Sequence, residues 1–267
     1  MITIKIGGSV VDNLHPSFIP DVKKIAQNEG LVIVHGGGKE VTHVCEQLGK
    51  EPKFVTSPSG IKSRYTDRET AEIFTMVMSG RINKTIVRML QQNGINAIGL
   101  SGADAQVMQA DRKKRLLIIN DKGRKQAIDG GYTGKITGIN SEFLQMLLDQ
   151  GLTPVISPIA LSEECDFLNV DGDRAAAYVA GSIAADRVLF ITNVDGLLLD
   201  DKLVPKLTLA EAKEIRPKIG PGMEKKILAS TEALDMGVSE ALIANGQKEN
   251  PISAAISHDS CTVIQHE

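Results

Sequence analysis

Apolar positions recur in two rhythms along this chain, and their alternation predicts its architecture. Short unbroken runs, Ile2-Thr3-Ile4-Lys5-Ile6 and Leu31-Val32-Ile33-Val34-His35, read as buried strands. After Gly38, the residues Val41, Val44, Cys45 and Leu48 fall at i, i+3, i+4 and i+7, a helix with one buried stripe that Gly49 stops. Two further helices are expected over 69–79 and 82–92, the second closed by Gly94, followed by a short strand over 95–100. Residues 107–128 alternate around Asp121-Lys122-Gly123, which predicts a β-hairpin. Ser141 opens a helix to residue 150, and 152–159 reads as a buried strand shortened by its prolines.

From about residue 160 the rhythm repeats. Asp173 stands as the N-cap of an Ala-rich helix reaching 185, and 187–192 is an apolar strand. Thr208 with Glu211 forms a capping box. A helix bounded by Gly222 and Gly237 carries Ile227, Leu228, Thr231 and Leu234, and strands follow at 241–244 and around 262–264. Strands alternating with helices predict an α/β fold, a three-layer αβα sandwich with a mainly parallel central sheet. No Pro/Gly/Ser-rich linker and no repeat of fixed period divides the chain. Two lobes sharing one sheet are therefore expected, 1–170 and 171–267.

Composition narrows the function classes. The 267 residues, 42% hydrophobic, suffice for a substantial core. A net charge of −3 argues against nucleic-acid binding by bulk electrostatics, and an aromatic content of 3% without Trp argues against a base-stacking surface. Cys45, Cys165 and Cys261 are far apart and lack C-x-x-C spacing, which fits a reducing compartment and neither a disulfide framework nor a zinc site. No apolar run approaches 18 residues and the first strand begins at residue 2, so a cytoplasmic protein without a membrane partner is expected.

The chemistry sits where strands end in glycine. Gly7-Gly8-Ser9 follows the first strand and Gly36-Gly37-Gly38 the second. Such loops let main-chain N–H groups approach an anion with no β-carbon in the way, and Lys5 stands beside the first as a cation. G-x-x-x-x-G-K-[ST], G-x-G-x-x-G and the H-R-D and D-F-G pair are all missing, which excludes the common phosphate-loop designs. A rarer ordered set remains: Lys5-x-Gly7-Gly8, His35-Gly36-Gly37-Gly38, Asn169-Val170-Asp171-Gly172-Asp173, Thr192-Asn193-Val194-Asp195-Gly196 and Gly222-Met223-x-x-Lys226.

This set resembles the amino-acid kinase family, which includes acetylglutamate, aspartate, carbamate and uridylate kinases, and the resemblance runs through essentially the whole chain. Ser57-Pro58-x-Gly60-x-x-Ser63-Arg64-Tyr65-Thr66-Asp67 and Gly220-Pro221-Gly222-Met223 look like one branch of it. That branch phosphorylates α-aminoadipate or glutamate carried on a LysW-type acidic amino-carrier protein, in lysine and arginine biosynthesis. The resemblance implies the amino-acid kinase fold, ATP with Mg²⁺ but no dedicated metal ligands, an acyl-phosphate product, and a homodimer built on the first lobe.

Moving a γ-phosphoryl group onto a carboxylate brings two anions together, so catalysis is mainly positioning and charge neutralisation. The resemblance makes Lys5 and Lys226 the transition-state lysines, has Gly8 and Gly37 donate N–H groups to the phosphoryl oxygens, and has Asp173 hold the lysines. Arg64 clamps the acceptor carboxylate, with Asn169, Gly37 and Gly38 contacting its amide and carboxylate. The nucleotide is expected over Thr192, Asn193, Asp195 and Gly196 and beside Lys218 and Gly220.

Acetylglutamate kinases read Asn-x-Asn-x-Asp where this chain has Asp171 in the middle, which disfavours free acetylglutamate as acceptor. The run Arg112-Lys113-Lys114-Arg115, with Lys122, Arg124 and Lys125, joins Lys62, Arg64 and Arg68 as a basic rim for carrier docking, or serves as an edge-strand guard. His35 is expected to pack or hydrogen-bond, since a carboxylate nucleophile needs no general base. Two alternatives stand beside this reading: a kinase of free acetylglutamate, and a non-catalytic nucleotide-binding regulator. The joint presence of Lys5, Asp173 and Lys226 speaks against the second.

Overall fold

Eight strands form one sheet, in the order Lys206–Thr208, Cys261–Gln265, Glu240–Asn245, Arg187–Thr192, Ile2–Ile6, Leu31–His35, Thr153–Ser157 and Ala97–Ser101. The structure is a computed structural model that describes residues 1–8, 10 and 13–267, so Ser9 of the first glycine loop lies outside the described residues. The last six strands in that order are mutually parallel. Cys261–Gln265 runs antiparallel to Glu240–Asn245 and parallel to Lys206–Thr208, so only this edge pair opposes the rest.

The strand that carries Lys5 is central and buried along its whole length. Strand geometry sends alternate side chains to opposite faces. Ile2, Ile4 and Ile6 enter the core layer that also holds Ile33, Leu189, Ile191 and Leu242. Thr3 and Lys5 project the other way, and Lys5 pairs in register with Val34 and Phe190 of the opposite layer. Full burial of a residue such as Phe190 contributes roughly 1.5–3 kcal/mol. Helices Gly172–Ser182 and Met223–Asp235 cover this second layer. Ala175, Ala176 and Ala177 are fully buried there, and their small side chains bring the first of these helices close to the sheet. Helix Phe18–Asn28, which lacks any clear expectation from sequence, and helix Pro251–Ile256 pack on the other face.

Several expectations need correction. The helices expected over 69–79 and 82–92 are one continuous helical run, because the seven-residue π-helical segment Met76–Ile82 joins Arg68–Thr75 to Asn83–Gln92. Residues 107–128 are not one hairpin. Met108–Arg112 belongs to a four-stranded sheet with Phe167–Asn169, Ile159–Leu161 and Gly134–Ile139. Arg115–Ile119 and Lys125–Asp129 form the hairpin, inside a second small sheet with Lys62–Arg64 and Phe54–Thr56. No residue of those last four strands is buried. Asp173 is not the cap of its helix: Asp171 is, accepting from the N–H groups of Asp173 and Arg174. No helix among the described residues is long and apolar enough to cross a membrane.

Candidate active site

Five chain segments meet at the carboxyl ends of the central strands. The first strand ends at Ile6, where Gly7 N–H donates to Ile191 O, and the second ends at His35, where Gly36 N–H donates to Ile6 O. These bonds bring the two glycine loops together. A β-carbon on Gly8 would stand 2.3 Å from Gly37 N and 2.5 Å from Gly37 Cα. Only glycine lets the two main chains approach this closely. Gly37 itself is shut in from behind, since a β-carbon there would stand 2.1 Å from Ile82 Cδ1.

Asp173 lies between the two lysines. Lys5 Nζ forms an ion pair with its Oδ1 at 2.6 Å, and Lys226 Nζ donates to its Oδ2 at 3.0 Å. The three side chains are 9%, 7% and 13% exposed, so little water screens them. Burial by itself would raise the Asp173 carboxyl; the two ammonium groups outweigh it and hold the group well below the ordinary carboxylate range. Burial lowers the Lys226 ammonium, and Asp173 opposes that shift. Two cations share one buried anion, which leaves the cluster with a positive excess.

Helix ends add to that excess. Asp173 and Lys226 lie in the first turns of Gly172–Ser182 and Met223–Asp235, and Gly37 caps a third helix, Gly38–Gln47. Neither Gly37 nor Gly222 supplies a capping side chain, and Gly222 takes φ +97°, a backbone conformation that favours glycine. Three helix amino termini thus accompany the lysine pair, and two of them, behind Gly37 and Gly222, have no capping side chain, a setting that favours phosphate.

Arg64 borders the second glycine loop. Its Nη2 donates to Gly38 O at 2.8 Å and to Thr42 Oγ1 at 2.6 Å, while Nη1 is buried and has no protein partner. The guanidinium lies 4.9 Å from the centroid of the Phe54 ring. Asn169 Nδ2 donates to Thr66 Oγ1 at 3.0 Å, which ties it to the segment that carries Arg64. Lys5, Gly8, Gly37, Gly38, Arg64, Asn169, Asp173 and Lys226 thus belong to one connected region.

The remaining expected site residues are placed less uniformly. Thr192 ends a central strand. Beyond Asn193, the Asp195 carboxylate is held by Lys248 at 2.8 Å and by the Asn245 amide at 2.9 Å. The Lys248 contact and then the Asn245 bond depress its carboxyl. Gly196 abuts Thr262, where a β-carbon would stand 2.4 Å from Oγ1. Lys218 is exposed and pairs with Glu214 at 3.5 Å, and Gly220 O accepts from Glu224 N–H just ahead of Lys226.

The structure divides the basic run. Arg112 stacks on Tyr132 at 4.4 Å and donates to Gly131 O, so it serves the local fold. Lys113 is half-buried, and burial lowers its ammonium. Lys114 and Arg115 face solvent.

Sequence reasoning missed several polar links around the site. Arg174 grips Glu232 through two bonds of 2.8 and 2.6 Å, joining the helix of Asp173 to that of Lys226. Lys225 stands 3.5 Å from Asp171. Among the described residues no group of three or more His, Cys, Asp or Glu side chains is placed to hold a metal ion.

The chain is similar to known proteins along most of its length. The sequence pattern of the amino acid kinase family matches residues 1–245. A protein of Nitrosopumilus maritimus, provisionally named [LysW]-aminoadipate/[LysW]-glutamate kinase, is 84% identical over 267 residues, all of both chains. The [LysW]-aminoadipate/[LysW]-glutamate kinase of Saccharolobus islandicus is 43% identical over 265 residues, 99% of each. Among solved structures, smu.665 from Streptococcus mutans UA159 superposes with a TM-score of 0.80 at 25% identity, covering 100% of this chain and 98% of that one. A family pattern spanning residues 1–245 and relatives matched from end to end carry the conclusion that the chain belongs to the amino acid kinase family.

Proposed function

We propose that this protein transfers the γ-phosphoryl group of ATP to the side-chain carboxylate of α-aminoadipate or glutamate carried on a LysW-type acidic carrier protein, in lysine and arginine biosynthesis. The product is an acyl phosphate. The observation that carries the reading is the Asp173 carboxylate held between Lys5 and Lys226, at the meeting of two glycine loops. Similarity over the whole chain to relatives named for this activity supports the choice of acceptor.

In this reading the acceptor carboxylate oxygen attacks the γ-phosphorus and the bond to the β-γ bridging oxygen breaks, so ADP leaves with that electron pair. Lys5 and Lys226 neutralise charge on the transferring group and the leaving oxygen, and Asp173 keeps both ammonium groups in place. The N–H groups of Gly8 and Gly37 bind the equatorial oxygens. Arg64 offers its unpartnered Nη1 to an acceptor carboxylate, while Asn169 and Gly38 position the linking amide. No general base is needed, because the acceptor is already ionised.

Mg²⁺ would arrive bound to ATP and would neutralise phosphate charge; the Asp173 oxygens face the two lysines and would not be needed to hold it. Residues 1–170 supply the acceptor side and residues 171–267 the nucleotide side. There Thr192, Asn193, Asp195, Gly196, Lys218 and Gly220 line the path of the base and ribose. The solvent-facing Lys114 and Arg115 steer the acidic carrier, and Met76, 59% exposed on the first-lobe helix, contributes to a homodimer contact. The enzyme works in the cytoplasm.

The test is ATP turnover measured side by side with carrier-linked aminoadipate, carrier-linked glutamate and free acetylglutamate. Turnover with a carrier-linked acceptor and not with acetylglutamate is expected; the reverse pattern overturns the reading.

A further inference from the structure

The glycine loop of residues 36–38 is held by its carbonyls. Arg64 grips Gly38 O from the acceptor side. From the core side, His35 Nδ1 lies 3.0 Å from Gly36 O. A carbonyl only accepts, so Nδ1 must carry the proton and Nε2 must be the lone pair. Facing Nε2 at 3.3 Å is the Asn83 amide nitrogen, a donor. That same nitrogen lies 2.8 Å from Val155 O and 3.2 Å from Leu100 O, so two strands fix its orientation; its two N–H groups are shared among three acceptors, and it presents no acceptor to a proton on Nε2. His35 and Asn83 are both fully buried.

The π-helical segment explains how a polar residue comes to face this point. Buried residues run Phe74, Met78, Ile82, Ile86 and Leu90, a spacing of four. An α-helix at that spacing drifts about 40° per step out of contact, whereas a wider π turn drifts back. The segment Met76–Ile82 therefore keeps Met78 and Ile82 behind Gly37 and delivers Asn83, the next residue, to His35.

We propose that His35 and Asn83 form a positioning relay for phosphoryl transfer, in which the Asn83 amide locks the Nδ1–H tautomer of His35 and that tautomer fixes the Gly36 carbonyl. Holding that carbonyl fixes the peptide plane it shares with the Gly37 N–H and keeps that N–H turned to the cleft. The role of that N–H group rests on the kinase reading above; the tautomer does not. Protonation of His35 would set an Nε2–H against the Asn83 NH2, donor against donor. The charged groups facing the ring, Lys5 from the first strand and Lys84 from the helix, also oppose the imidazolium, and burial lowers the group to about 4.

Two measurements test the relay. In the intact wild-type protein, ¹⁵N NMR of the histidine rings should show His35 neutral and protonated on Nδ1 at neutral pH; an Nε2–H tautomer or an imidazolium overturns the proposal whether or not the protein is a kinase. The variant Asn83→Asp replaces the donor by an acceptor, which favours the imidazolium, the only form able to donate both to the introduced carboxylate and to Gly36 O. Its kcat with MgATP and the carrier-linked acceptor should fall about 10- to 100-fold at neutral pH. It should then recover as pH falls between about 8 and 5, where the wild type shows no such recovery. A folded variant with the wild-type pH profile overturns the relay, and if the variant does not fold the tautomer decides. Absence of turnover in the wild type with a Gly36-bound Nδ1–H would reject the kinase reading alone.

Discussion

Gly8 and Gly37 stand so close that a β-carbon on the first would lie 2.3 Å from the main-chain nitrogen of the second. The contact is main chain against main chain, so no rotamer change relieves it. Gly8→Ala must push the loops apart, and displacements of this size at a reacting centre cost on the order of 10²-fold in rate. The expected result is a folded protein by circular dichroism whose kcat falls by about that factor.

Lys226 and Asp173 should separate catalysis from stability. Lys226→Met leaves Asp173 paired with Lys5, so the fold should persist while kcat drops on the order of 10²- to 10³-fold. Asp173→Asn strands two buried ammonium groups and should cost about 3–5 kcal/mol of stability as well as activity. Chemical denaturation of both variants beside steady-state kinetics makes the comparison; equal destabilisation of the two would refute the shared-anion arrangement.

Arg64→Lys should act on the acceptor. Lysine retains the charge but cannot hold Gly38 O and Thr42 while presenting a second nitrogen to a carboxylate. Loss of one charge-assisted hydrogen bond, about 1.5–3 kcal/mol, predicts an acceptor KM raised by roughly 10- to 100-fold with the KM for ATP unchanged. A rise in the ATP constant alone would place Arg64 on the wrong side of the reaction.

Reversing charge at Lys114 and Arg115 should slow carrier association, and the loss should shrink as salt is added, because rim charges act mainly through steering. ATP binding should not change. Surface plasmon resonance with the charged carrier at two ionic strengths is the check.

Acid should destabilise the protein in a defined window. Burial lowers His35 from 6.5 to about 4, so between those values the unfolded chain holds a proton that the folded one does not. Stability is then full above about 6.5 and falls as pH drops toward 4, by on the order of 3 kcal/mol from this group. The depressed Asp173 carboxyl adds a loss of the same sign once pH passes below the ordinary carboxylate range. Thermal unfolding followed against pH should show this decline; a flat Tm across the window would refute it.

Residue patterns revealed the parallel sheet, because short apolar runs such as residues 188–191 between polar neighbours fit the length of a buried strand. They also revealed the lysine and glycine positions, whose chemistry follows from residue type beside a strand end. Other features depend on contacts made across the fold. Arg174 and Glu232 are 58 residues apart and each reads as an ordinary helix-surface charge until the helices pack. Asn83 looks like a solvated helix residue, and Gly80 with Arg81 looks like a helix break, because nothing local announces a π turn. Phe54–Thr56 and Lys62–Arg64 lack a buried face, so no alternation marked these two strands near Arg64.

The position of the first strand in the sheet bears on how the protein is made. Ile2–Ile6 can pair with Leu31–His35 early in synthesis, but its other edge waits for Arg187–Thr192. Until that strand emerges, the edge of a strand destined for full burial stays open in the nascent chain, the kind of surface that invites aggregation. Such distant pairing slows folding. Lys226 comes later still, so the buried lysine–aspartate cluster is completed only after most of the chain has left the ribosome, and a truncated product would carry the glycine loops without it.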